Sequence, residues 1–409
     1  MKSIGLIVVV IVSLTFLAWT ISQDPKFNEA SFEDAPFEQR LAEFDEALTL
    51  AQYKDDDNRT VTLLVMSATS ETVQGIKLTD LGAPLSDDPF TALASVGEAA
   101  LAEAYASNQD LATIVIDRLL PSAPMGTRHL AIGTNFPEHA EEASSSSVFV
   151  FPKFGLATPA RTSVAAKENG LLDYEVELCM RFDRPISSLE DFDAAVKGIF
   201  LCADFTDRIE LLKLADPDNL DSGYGFSDAK SGLGFFPTGP FLVVPRDWSS
   251  FVSETRMMTH LNGQPRQDAR GEEMIHDFRA LTEKVLADME RPRFYYDGEF
   301  YKLAPAGRIE QDMTLMSGTS EGVIFTPPAR HDYIEMALAY VLRGGPLSDQ
   351  SLMDIAVPVF IENEISSGHF LKPGDTVTYR ATRLGDIVVS ITAQPPQETF
   401  SLEATPAGR

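Results

Sequence analysis

The stretch Leu171-Leu172-Asp173-Tyr174-Glu175-Val176-Glu177-Leu178 limits what this chain can fold into more than any other part of it. Tyr, Val and Leu alternate there with acids, the period-two pattern of a half-buried strand. Glu175 and Glu177 stand two positions apart, so both carboxylates leave the same face of that strand. Two like charges side by side in an otherwise apolar strand cost free energy unless a cation offsets them. Either the strand lies at an edge with its acidic face in water, or the acids hold a cation.

The surrounding composition favours cations. The chain carries 61 Asp and Glu against 33 Lys and Arg, a formal charge of −28. Such a balance lacks the basic footprint a nucleic-acid binder needs, and it concentrates cations near any carboxylate cluster. At 409 residues the chain can bury a large core in one or two domains. Its two cysteines, Cys179 and Cys202, make neither a disulfide framework nor a zinc site.

Residues 1–22 differ from the rest. Lys2 precedes the apolar run 4–12, then Leu14, Phe16, Leu17, Ala18 and Trp19, about 18 residues without a charge and just enough to span a bilayer. The lone Lys2 would stay cytoplasmic. The segment is therefore expected to be a membrane anchor that leaves the body on the extracytoplasmic side. The alternative is a signal segment whose cleavage releases a secreted body, although no clear small-x-small site precedes Gln23.

Residues 23–118 read as a small N-terminal α+β module. They show helical spacing at Phe37, Leu41, Phe44, Leu48 and Leu50, a strand-like run over 61–66, and an Ala-, Leu- and Glu-rich helix over 92–106. A proline-punctuated linker covers 119–124. From His129 onward short apolar runs alternate with Gly and Pro turns, at 129–134, 147–151, 173–181, 198–205, 235–244, 257–262, 313–317 and 376–393. Helical patterns are few, chiefly 271–289 and 333–343. The spacing predicts a mostly-β α+β domain over 119–395 rather than a βαβ wound sheet, followed by a flexible tail over 396–409.

Further motifs flank the acidic strand. Ala131-Ile132-Gly133-Thr134-Asn135-Phe136-Pro137-Glu138-His139-Ala140-Glu141-Glu142 and Phe151-Pro152-Lys153 precede it. Cys202-Ala203-Asp204-Phe205-Thr206-Asp207-Arg208, Ala229-Lys230-Ser231 and Phe236-Pro237-Thr238-Gly239-Pro240 follow. Leu261-Asn262-Gly263-Gln264-Pro265-Arg266-Gln267, Ser317-Gly318-Thr319 and Leu371-Lys372-Pro373-Gly374-Asp375 complete the series. In this order the motifs resemble the fumarylacetoacetate hydrolase family, from about Leu119 to Ile391, roughly two thirds of the chain. The resemblance implies a layered, mixed β-sheet or β-roll fold and a homodimer.

Carried over by the resemblance, Glu175, Glu177 and Asp204 are the ligands of a divalent metal, usually Mg²⁺, with Mn²⁺ or Ca²⁺ as alternatives. The chemistry agrees, since three carboxylates without a His or Cys cluster suit a hard, oxygen-seeking cation. His139 and Glu142 match a His–Glu pair on a short lid helix that activates water. Pro137 suits the first helical turn, and the i,i+3 spacing puts both side chains on one face. Lys230 matches a lysine that stabilises negative charge on the substrate, and Thr319 a substrate contact. Arg208 and Gln267 are further contacts to the substrate or to the residues around it.

Departures from the family pattern lie near the substrate side. Phe136 replaces a tyrosine, Lys153-Phe154 replaces Lys-Pro, and Ser320-Glu321-Gly322-Val323 replaces a Pro-Ala-Gly-Val turn. The chain then makes a long detour from Ile324 to His369. Cys179 lies two residues after Glu177 and Cys202 two before Asp204, so each shares its neighbour's face. If the two strands run antiparallel the thiols approach each other, and either a disulfide, permitted in an extracytoplasmic body, or two buried thiols results. The expected activity is metal-dependent hydrolysis of a C–C bond in a small 2-oxo or 1,3-dicarbonyl acid. A decarboxylase, an isomerase or a membrane-tethered binding protein is the alternative.

Overall fold

The computed structural model describes residues 13, 14, 16, 17, 27–216 and 219–395. The tail expected over 396–409 lies outside them, as does most of the segment 1–22 expected to anchor the chain or direct its secretion. Among the described residues no helix is long and apolar enough to cross a membrane.

The N-terminal part supplies strands β1 (Ala47–Lys54), β2 (Thr60–Ala68), β3 (Thr72–Lys77) and β4 (Ala112–Val115). Then come β5 (Arg128–Gly133), β6 (Phe149–Phe154), β7 (Arg161–Ala166), β8 (Leu172–Phe182), β9 (Lys197–Asp207) and β10 (Leu242–Pro245). The last are β11 (Arg256–Leu261), β12 (Gln264–Arg270), β13 (Phe294–Tyr296), β14 (Glu299–Tyr301), β15 (Leu315–Met316), β16 (Thr376–Ala381) and β17 (Gly385–Ala393). One sheet has the order β4-β3-β2-β1-β10-β9-β8-β15-β5-β6, and a second the order β12-β11-β16-β17-β7. β15 with β5 and β17 with β7 are parallel pairs in otherwise antiparallel ladders, so the fold is mixed, α+β and mostly sheet. The N-terminal strands extend the same sheet that carries the acidic strand, because β1 pairs with β10.

β8 is an interior strand, and every residue of β8 and of β9 is buried. The solvated edge strand is thereby excluded. One face of the pair carries Tyr174, Val176, Leu178 and Met180 opposite Phe205, Ala203, Leu201 and Ile199, with Leu172 opposite Asp207 at its end. It packs against the second sheet, with the Phe205 and Tyr379 rings edge-on at 6.1 Å. The other face carries the polar residues, and the apolar packing behind fixes their register.

Several local expectations change. Leu48 and Leu50 lie in strand β1, not in a helix, because Ala47–Leu50 pair with β10 on one side while Leu50–Lys54 pair with β2 on the other. Phe37 owes its place to Arg380 and Arg256, whose guanidinium groups lie 4.6 and 5.8 Å from its ring centre. The run 92–106 divides into the helices Pro89–Ala94 and Glu98–Ser107, with Gly97 capping the second. The helix expected from residue 271 begins at Phe278, where the Asp277 side chain accepts the Ala280 N–H at 2.8 Å. Within the detour, the helix Arg330–Leu342 is followed by a second, Leu352–Ser367, which the internal Pro358 hides from pattern reading.

Candidate metal centre and active site

Strands β8 and β9 build the floor. Their register sets Glu175 opposite Asp204 and Glu177 opposite Cys202, so both glutamates and Asp204 emerge on the polar face. One oxygen from each of Glu175, Glu177 and Asp204 lies within 4.8 Å of the others, and all three residues are buried. Cys179 and Cys202 lie beside them on that face and form a disulfide, with Cα atoms 5.9 Å apart. Of the two arrangements the sequence left open for the thiols, the structure has the bonded one.

Cations reach the floor from three elements. Lys230, at the end of the helix Phe226–Lys230, places its Nζ 2.6 Å from Glu175 Oε2, 2.9 Å from Asp204 Oδ2 and 2.9 Å from Thr206 Oγ1. Lys153, on β6, donates to Asp204 Oδ1 at 2.6 Å and to the Lys230 carbonyl. Arg208, opening the helix Arg208–Leu214, donates through Nε to Asp173 Oδ2 at 2.9 Å and through Nη2 to Glu175 Oε1 at 3.0 Å. Four buried acids (Asp173, Glu175, Glu177 and Asp204) thus face three buried cations. Glu177 is the acid that remains, its Oε2 accepting the Gly318 N–H at 2.8 Å.

The charges sort themselves accordingly. Burial works against the Glu175 charge, but Lys230, then Arg208 and His139, outweigh it and hold its pKa at about 2. Burial pushes the Glu177 carboxyl well above its ordinary range, and the Asp204 and Glu175 charges push the same way. Burial also pulls both lysines down. In Lys153 it prevails, whereas in Lys230 the Asp204 and Glu175 carboxylates overcome it and raise the pKa.

The lid is the helix Pro137–Glu142, with proline in its first turn. His139 Nδ1 lies 2.8 Å from Glu142 Oε2, and Glu142 Oε1 accepts the Gly322 N–H at 3.0 Å. Asn135 fixes the approach to this helix, donating to the carbonyls of His276 and Ser317 at 3.0 and 2.9 Å. Phe136, the departure from tyrosine, is fully buried and faces the core.

The Ser317-Gly318-Thr319 turn extends the floor. The Ser317 N–H donates to the Leu178 carbonyl at 2.9 Å, and Gly318 takes φ +79°, a left-handed conformation in which a Cβ would also meet the Ile132 carbonyl at 3.1 Å. Thr319 donates to the Val176 carbonyl at 2.9 Å and accepts from Gln267 Nε2 at 2.9 Å. The Gln267 amide also donates to the Ser320 carbonyl and accepts from the Val176 N–H and the Thr259 hydroxyl. Gln267 therefore supports Thr319 from below, its amide engaged with protein on both its atoms.

Lid and floor enclose one cleft of about 670 Å³, including space open at its mouth. Glu175, Arg208, Lys230, His139, Glu142 and Thr319 line it, while Phe325 and Pro327 reach it from the detour. Lys153 and Asp173 are the residues sequence reasoning passed over. Asp173 had a visible signal, since it stands on the Glu175–Glu177 face, and it accepts the N–H groups of Ile324 and Phe325 at 2.9 and 3.1 Å.

The sequence profile of the family described as fumarylacetoacetate (FAA) hydrolase C-terminal matches residues 128–392. The chain belongs to the fumarylacetoacetate hydrolase family. Solved structures of low identity share its fold. The 5-carboxymethyl-2-hydroxymuconate delta-isomerase of Mycobacterium smegmatis is 16% identical, with a TM-score of 0.51 over 85% of this chain and 100% of its own. The 2-hydroxyhepta-2,4-diene-1,7-dioate isomerase of Mycobacterium marinum is 15% identical, with a TM-score of 0.50 over 85% and 99%. The maleylpyruvate hydrolase of Sphingobium sp. SYK-6, solved with manganese (II) ion and pyruvate, is 16% identical, with a TM-score of 0.51 over 84% and 100%. No curated protein matches the sequence. Hydrolases and isomerases are thus among the proteins that share its fold, and this chain carries a carboxylate triad able to hold a metal.

Proposed function

We propose that the protein is a metal-dependent hydrolase that cleaves a C–C bond in a 2-oxo or 1,3-dicarbonyl acid. The observation that carries this reading is the buried Glu175–Glu177–Asp204 cluster, whose Glu175 lines the same cleft as the His139–Glu142 pair. The donor set fits a hard divalent cation, Mg²⁺ first and Mn²⁺ or Ca²⁺ as alternatives. Glu177, the acid in excess over the local cations, would ionise when such an ion binds between the three carboxylates. When bound, the metal supplies Lewis acidity toward the two oxygens of a 2-oxo acid.

The remaining roles belong to the chain's own side chains. Glu142 holds the Nδ1–H of His139, which leaves Nε2 to take a proton from water. Lys230 keeps its ammonium charge and offers it to the enolate-like carbanion left by C–C cleavage. Thr319 gives the substrate a hydroxyl contact, and Arg208 steadies Glu175 from the opposite side. The apolar run in residues 1–22 supports a tethered body on the extracytoplasmic side, and the Cys179–Cys202 disulfide supports an oxidising compartment.

The test is turnover of a panel of acylpyruvates by the full chain with Mg²⁺ or Mn²⁺. His139→Ala is expected to lower kcat about 10²- to 10⁴-fold, as loss of a general base does, with metal affinity unchanged. Equal turnover by wild type and variant removes the proposed role of His139.

A further inference from the structure

The detour after Val323 folds into a hairpin of two helices, Arg330–Leu342 and Leu352–Ser367. Between its helices it has a small core of its own, in which Met336, Ala356 and Phe360 pack with Leu212 and Phe325. Its far end is different. Leu338, Val341, Leu342, Leu347, Leu352 and Met353 are all exposed there, Leu342 at 83% and Leu347 at 95%. Leu338, Val341 and Leu342 follow the i, i+3, i+4 spacing of one helix face, so the outer part of the first helix presents an exposed apolar stripe. A patch of this density marks a contact site.

The N-terminal chain runs close to the base of this hairpin. The Phe27 ring lies 6.2 Å from the His369 ring and 3.8 Å from the Arg266 guanidinium. The Asn28 amide donates to the carbonyls of Val323 and Phe325 at 2.7 and 3.1 Å. Val323 and Phe325 lead into the hairpin and His369 leaves it, so the chain at Phe27 and Asn28 runs past the hairpin's base. Six residue steps separate Phe27 from Ile21, the last apolar residue of the N-terminal run, a reach of about 20 Å. The 13-residue helix Arg330–Leu342 is also about 20 Å long. The stretch between Phe27 and the apolar run is therefore long enough to span the first helix of the hairpin from end to end.

We propose that this tip inserts into the surface of the same phospholipid bilayer that holds residues 1–22, as a second membrane contact. The proposal rests on the membrane-anchored reading above. A formal charge of −28 repels the body from anionic lipid, so the tip is matched to a zwitterionic surface, which it enters through apolar burial.

The experiment uses the full chain in phosphatidylcholine nanodiscs. Cys179 and Cys202 are paired and buried, so a cysteine introduced by Leu347→Cys takes an environment-sensitive NBD label alone. Val115→Cys on β4, an edge strand of the ten-stranded sheet, provides the reference. The label at position 347 is expected to shift to the blue and to lose most of its emission to doxyl-labelled phosphatidylcholine, while that at 115 does neither. A chain retained in the discs with both labels water-like overturns the tip proposal and leaves the anchor standing. A blue shift without doxyl quenching shows the tip covered by protein, a second copy or the chain's own segment, and also overturns it. Failure of the chain to stay with the discs overturns the anchor and the tip together.

Discussion

The β8–β9 floor and the helical hairpin over 330–367 are built on opposite terms. In the floor all residues are buried, and the register of the pair determines which acid faces which cation. The hairpin buries Met336, Ala356 and Phe360 and leaves its other end apolar and exposed. Asp173 joins the two, holding Arg208 in the floor while its carboxylate accepts the N–H groups of Ile324 and Phe325 at the start of the detour. A cluster of three carboxylates tolerates little displacement, so it needs strands locked on both sides. The rim has only to shape a mouth, and it can diverge.

The largest effect expected from breaking the floor is on metal binding. Glu175→Gln/Glu177→Gln should abolish Mg²⁺ and Mn²⁺ binding in calorimetry, and with it any metal-dependent binding of oxalate, a small mimic of a 2-oxo acid enolate. Removing two of three anionic oxygen ligands leaves a hard cation with too few donors. Should the double variant bind metal as wild type does, the floor is not the metal centre, and the contrast with the rim loses its chemical meaning.

A smaller effect is expected from the disulfide, which ties β8 to β9 beside Glu177. Its cysteines are 23 residues apart, and a loop of that size contributes about 3 kcal/mol on the chain-entropy account. Cys179→Ser/Cys202→Ser should lower unfolding free energy in urea by that order and weaken metal binding less than the carboxamide pair does. A loss no larger than that of a surface substitution would mean that the interstrand ladder holds the floor without the bridge.

The floor was legible in the sequence because its constraints are local. Period-two alternation placed Glu175 and Glu177 on one face, and the same parity placed Cys179 beside Glu177. What sequence left open was set by long-range partners. Lys153 reaches Asp204 only because β6 and the helix Phe226–Lys230 meet over the floor, and nothing in Phe-Pro-Lys announces a wholly buried lysine. Gln267 was visible as a motif residue, but that its amide binds Val176, Thr259, Thr319 and Ser320 follows from how β11 and β12 lie beneath the turn. Leu48 and Leu50 mimicked a helix because successive residues of β1 are buried, so both its faces are covered and the alternation that marks a half-exposed strand is erased. The hairpin's second helix was hidden by Pro358.

The smallest effect is expected at the hairpin tip, against a large one in the hairpin's own core. Phe360, 2% exposed against Met336 and Ala356, should cost about 3 kcal/mol or more when replaced by alanine, as large-to-small changes in a core do. Leu342→Ser/Leu347→Ser, at the tip, should change unfolding free energy by no more than about 0.5 kcal/mol, because neither side chain is packed in the folded chain. Urea titration of the full chain in detergent measures both. A tip pair as costly as Phe360→Ala would show those leucines packed against protein, and the rim would then be a second core. If the pair is neutral, the exposed leucines contribute nothing to holding the fold, and their presence has to be explained by what the tip touches.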